Sequence, residues 1–188
     1  MFLQNFYNVY KGTIDKNQAN FPVIKYDGTP GNALNSPSYC FQFAAPYAAN
    51  MSDTGLRGSM RFISNGTRIY YDSSYNTNPV EFGIILGDGD TPPTLSDHAL
   101  SGNKITDFTA TSSVSSAAEN GKLTVTAIYN ITNTGASDFT IREIGLLVLN
   151  SFSSPTFNYL ILRDVLSSPV TIAAGNAGTL IHKLIITQ

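Results

Sequence analysis

The chain has 188 residues, 11 basic and 13 acidic, for a net charge of -2, with 42% hydrophobic and only 13% charged residues. That excludes a disordered chain and a basic nucleic-acid footprint, and one domain with a real core is expected. The polarity is neutral instead: 17 Asn, 19 Ser and 19 Thr favour turns and strands over helices.

Residues 1–20 read as a helical arm and linker. Phe2, Phe6 and Tyr10 fall at i, i+4 and i+8 from Met1 to Lys11, and Gly12 is placed to end the helix. So short a helix is unstable alone. Its aromatic face must pack on its own domain or act as a docking arm. MFLQNFYNVYKG has no basic region followed by a long apolar run, so no secretory leader is expected. No apolar stretch approaches the ~20 residues of a membrane-spanning helix.

Residues 21–188 read as the β domain. Phe21 to Tyr26 is a short strand, closed by the turn signals Asp27-Gly28 and Pro30-Gly31. Tyr39 to Phe43 is a further strand. Its Cys40, the single cysteine, excludes an intrachain disulfide and reads as a small buried hydrophobe. Ser59 to Ile63 and Arg68 to Tyr71 flank Ser64-Asn65-Gly66-Thr67, a hairpin signal. Tyr70, Tyr71 and Tyr75 cluster around the next loop and could stack on a sugar, which gives the alternative reading of a receptor- or glycan-binding module. Asn-x-Ser/Thr triplets at Asn50, Asn65 and Asn130 mean little in a chain this rich in those residues.

Val80 to Leu86 reads as a central strand, followed by the breaker cluster Gly87-Asp88-Gly89-Asp90-Thr91-Pro92-Pro93. Asp88 and Asp90 are weak metal candidates, because oxygen ligands on a glycine-rich turn suit Ca²⁺ but the spacing is not that of an EF-hand. No metal or other cofactor is assigned. Thr94 and Asp97 have capping-box-like spacing, which predicts a helical turn.

Ile105 to Ala110 and Lys122 to Asn130 are predicted strands around a Ser/Ala-rich loop. Thr140 to Leu149, Tyr159 to Val165, Val170 to Ala173 and Thr179 to Thr187 complete about ten strands with no βαβ rhythm. The expected fold is all-β: an antiparallel two-sheet sandwich, jelly-roll-like, with a short N-terminal helix.

His98 and His182 are the only histidines, and with no Cys/His cluster and no nucleophile elbow they predict no catalysis. The more informative charges are Arg142-Glu143 and Arg163-Asp164, each inside an apolar strand. Alternation puts Ile141, Glu143, Gly145 and Leu147 on one face and Arg142 on the other. It also groups Leu160, Leu162 and Asp164 against Ile161, Arg163 and Val165. If the strands are neighbours, Glu143 could meet Arg163, or Arg142 could meet Asp164, fixing register or forming a subunit interface. Such charges must be paired, because an unpaired buried charge is costly.

Several segments form an ordered pattern: Gly87-Asp88-Gly89-Asp90-Thr91-Pro92-Pro93-Thr94 with Ser96-Asp97 and Leu100; Tyr129-Asn130-Ile131-Thr132-Asn133-Thr134-Gly135; Ile141-Arg142-Glu143-Ile144-Gly145-Leu146; Tyr159 to Leu166; and Pro169-Val170-Thr171-Ile172-Ala173-Ala174-Gly175. From Gly83 onward the chain resembles small β-sandwich structural proteins of tailed-phage virions. The resemblance implies a non-catalytic part of the head, neck or tail of a bacteriophage particle. The implied partners are other virion structural proteins and copies of itself, with no nucleic acid, no membrane, and a homo-oligomeric state.

Overall fold

The computed structural model describes residues 1–8, 20–34, 68–72, 76–119, 122–150 and 157–187. Ten strands are named within them: β1 (Asn20–Ile24), β2 (Pro30–Leu34), β3 (Arg68–Asp72), β4 (Asn76–Gly87), β5 (Lys104–Ile105), β6 (Phe108–Glu119), β7 (Lys122–Asn133), β8 (Phe139–Asn150), β9 (Phe157–Ile172) and β10 (Ala177–Thr187). Residues 4–8 form one short helix. The expected strands at 39–43 and 59–63, the hairpin turn at 64–67, Tyr10, Gly12, Cys40, Asn50, Asn65 and Tyr75 lie outside the described residues.

The fold is all-β and antiparallel. A five-stranded sheet has the order β3-β4-β8-β9, with β5 also on β4; a three-stranded sheet has the order β10-β7-β6; β1 and β2 form a separate hairpin. The described strands of the two main sheets divide five and three.

The two main sheets bury one core between them. Ile84, Leu86 and Ile144 from the larger sheet meet Ala127, Tyr129, Ile131 and Leu180 from the smaller. The opposite side of the larger sheet is also covered: Leu3, Ile85, Leu147 and Leu160 form a second cluster, with Tyr26 and Leu100 against it. Leu3 is fully buried, which stabilises by about 1.5–3 kcal/mol on transfer grounds. The N-terminus also pairs with β9. Phe2 bridges Leu162 on β9, the Leu3 amide donates to the Ile161 carbonyl (2.9 Å), and the Arg163 amide donates to the Met1 carbonyl (3.1 Å).

Several expectations need correction. Phe2 and Phe6 do not project as a docking arm. Their rings stack 3.9 Å apart and pack against Val23, Val148, Tyr159, Ile161 and Leu162 of the same chain. Pro30-Gly31 opens β2 instead of forming a turn, since a strand's first residue tolerates the missing donor. The turn is made at Gly28 (φ 83°), with the Thr29 amide and hydroxyl donating to Asp27 Oδ1 (2.9 and 2.7 Å).

The Ser/Ala-rich run is strand and not loop. β6 pairs with β7 residue for residue from Phe108↔Asn133 to Glu119↔Lys122. Small residues suit the exposed flank of a sheet whose partner strand supplies the apolar side chains. The stretches 159–165 and 170–173 belong to one strand as far as Ile172, with residues 166–169 standing opposite Arg142 alone. That irregularity moves Ile141 out of Glu143's row and into the inter-sheet core. A second shift, at Ile161, separates Leu160 from Leu162 and sets them in different clusters. Strict period-2 alternation fails at both places because the extra residues, three at the first and one at the second, re-aim the side chains beyond them.

Candidate functional site

The centre of the molecule's polar chemistry is the Arg163 guanidinium, 1% exposed. β8 and β9 are neighbours, and Gly145 stands opposite Arg163. From there Arg163 reaches diagonally to the Glu143 carboxylate, two residues along β8. Its Nε donates to Glu143 Oε2 at 2.7 Å, its Nη1 to Asp97 Oδ2 at 2.6 Å, and its Nη2 to the Thr91 carbonyl at 2.7 Å.

Each carboxylate is saturated from the loop that joins β4 to β5. Glu143 accepts from the Ser101 amide (3.1 Å), the Ser101 hydroxyl (3.2 Å) and the Gly102 amide (2.8 Å). Asp97 accepts from the Thr94 amide (2.9 Å) and hydroxyl (2.6 Å). The Thr94/Asp97 spacing therefore closes one turn and not a helix, and it leaves Asp97 aimed at Arg163. The glycines make room. A Cβ on Gly87 would lie 2.8 Å from Glu143 Oε1, and one on Gly89 would overlap Ser101 Oγ, Glu143 Oε1 and the Gly102 amide nitrogen.

Burial is the largest influence on the Glu143 carboxyl and pushes its pKa up, but the Ser101 and Gly102 amides and Arg163 outweigh it and hold the group below the ordinary glutamate range. The same contest holds at Asp97, where burial is opposed by Thr94 and Arg163 and the net direction is down. Arg163 itself is lowered by burial and raised more by Glu143 and Asp97. All three groups are fixed in their charged forms. No member is poised to exchange a proton near neutrality. Among the described residues, no buried side-chain nitrogen or oxygen lacks a hydrogen-bond partner. The arrangement ties the loop between β4 and β5 to the sheet.

Asp164, the next residue, is separate from this hub. It stands opposite Ile144, not Arg142. Its carboxylate lies 3.3 Å from the N-terminal ammonium and 3.3 Å from His182 Nε2 on β10, and the hydrogen bond with His182 is the chief cause of its lowered pKa. Arg142 is half-buried in the β8 irregularity.

The other candidates are placed as follows. Asp88 accepts from the Asn103 amide (2.6 Å) and Nδ2 (3.1 Å), and Asp90 is exposed. Among the described residues, no group of three or more His, Cys, Asp or Glu is placed to hold a metal. Tyr70 and Tyr71 lie in β3 at an edge of the larger sheet. His98 lies against Gly28 in the β1–β2 turn.

Asn5 and Asn133 were not singled out in the sequence. Asn5 is 4% exposed: its Nδ2 donates to the Ile24 and Leu160 carbonyls, and its Oδ1 accepts from the Ile24 amide. Asn133 is 1% exposed: its Nδ2 donates to the Ser137 and Ile172 carbonyls, and its Oδ1 accepts from the Gly135 amide. An Asn before Thr-Gly signals a turn but not a buried tie. Tyr129 is pushed up to about 12 by burial and is no acid at neutral pH.

Comparison with protein-family models, with curated proteins and with solved structures finds no match.

Proposed function

We propose that this chain is a non-catalytic structural component of a bacteriophage virion, working by contacts with neighbouring virion proteins and with copies of itself. The observation that carries the reading is the Arg163 hub. The glycine-rich Thr-Pro-Pro-Thr loop, the Arg-Glu-x-Gly-Leu strand and the Leu-x-Arg-Asp-x-Leu strand meet in one buried, hydrogen-bonded joint. Those are the segments that resemble phage structural proteins. Their side chains are spent on each other, which favours a framework over a site that turns over a substrate. Low surface charge suits permanent packing, since the cores of obligate interfaces are apolar and depleted in charge.

The test is direct. Quantitative mass spectrometry of purified particles should find the chain at a fixed copy number, and antibody labelling should mark one position on head, neck or tail. Absence from the particle, or a substrate turned over by the purified chain, would overturn the reading.

A further inference from the structure

The two main sheets treat their edges differently. At β9 the N-terminal residues Met1 to Leu3 bridge the edge between Ile161 and Arg163. β10 is the edge strand of the three-stranded sheet, eleven residues long, and among the described residues it is paired with β7 alone. Its exposed row runs Thr179, Ile181, Lys183, Ile185. Ile181 and Ile185, at 56% and 57%, are the most exposed large hydrophobics among the described residues.

Between them, Lys183 meets no acid in its own row of the sheet among the described residues. Its cross-strand row is Lys183–Thr126–Ser115, and its diagonal neighbours on β7 are Thr124 and Ile128. Glu119, at the end of the same sheet, stands opposite Lys122 instead. A long edge with apolar side chains is a template for another chain: main-chain groups supply affinity and alternate side chains supply selectivity.

We propose that β10 takes an extended segment of a different protein chain as a fourth strand. The segment carries the pattern apolar–x–acidic–x–apolar, with its acid opposite Lys183 and its apolar residues opposite Ile181 and Ile185. A second β10 fits badly. The register that pairs Ile181 with Ile185 in both directions sets the two Lys183 side chains directly opposite one another, and like charges there repel. Lys183 thus disfavours self-pairing and selects an acidic strand. The inference deepens the assembly reading by naming an edge and the chemistry of its partner, and it rests on that reading for the partner being a virion protein.

The full-length chain, labelled for amide resonances, is titrated with the peptide Thr-Thr-Ile-Thr-Glu-Thr-Ile-Thr-Thr and with its Lys-for-Glu counterpart. The expected result is shifts concentrated at residues 177–187, about tenfold tighter binding of the Glu peptide, and reversal of that preference in Lys183→Glu. Equal binding of the two peptides, or shifts elsewhere, overturns the proposal. So does a dimer in sedimentation that dissociates on Ile185→Lys, which would make a second copy the occupant. Should the peptides fail while the chain is found in particles, the assembly reading stands. A clear peptide preference with no chain in the particle sinks that reading alone.

Discussion

The loop that joins β4 to β5 and the edge strand β10 are opposites. The loop has almost no regular structure, yet it is tied to two strands through Arg163, Glu143 and Asp97. β10 is regular throughout, yet its outer row is exposed. Regular backbone pairing therefore does not report where this molecule is rigidly held. Buried polar satisfaction does, because an unpaired charge in the interior costs more than a ladder hydrogen bond contributes.

The sharpest break in that contrast is Arg163→Met. It leaves Glu143 and Asp97 facing an apolar group and should cost about 3–5 kcal/mol in urea unfolding; a loss under about 1 kcal/mol would mean the hub is decorative. Acid should attack the same place. Glu143 and Asp97 have lowered folded-state pKa values. Their stabilisation is complete above the unfolded carboxylate range, roughly pH 4, and is lost as pH falls through the folded values. Arg163→Met should flatten that acid limb, which pH-dependent unfolding of the two proteins would reveal.

Next in size is Gly145→Ala. Its Cβ would lie 2.9 Å from both Ile85 Cγ1 and Leu160 Cδ1, so overpacking of about 1–3 kcal/mol is expected; a stability unchanged in the same assay would show that the sheet can spread. At the other extreme, Ile185→Thr on the exposed row should change stability by less than about 0.5 kcal/mol. A larger loss would mean that row is already covered within the folded chain.

Much of the strand inventory was readable, because β-branched and aromatic runs bounded by Gly, Pro and Asn carry a local signal. Val80 to Leu86, Thr140 to Leu149 and Thr179 to Thr187 lie within β4, β8 and β10. The part of β6 beyond Ala110 was not readable, because Thr, Ala and Ser signal a loop until a twelve-residue partner pairs with them. The meeting of Glu143 with Arg163 was one of two pairings open to neighbouring strands. What selected it is the register that sets Gly145 opposite Arg163, in a segment bounded by shifts at Arg142 and Ile161 that no local pattern announces. Asp97 was visible only as half of a capping spacing, and its role in the hub depends on Thr94 turning it toward a strand 66 residues away.

The sequence by itself determined that this is an all-β chain whose few internal charges must find partners, since composition and period-2 patterning act locally and burial of a lone charge is costly anywhere. Only the tertiary structure decided which charges meet, that the N-terminal segment packs on β9 instead of reaching outward, and that β10 is paired with β7 alone among the described residues. Those outcomes depend on register and on which sheet covers which face, and both are set by contacts between residues far apart in the chain.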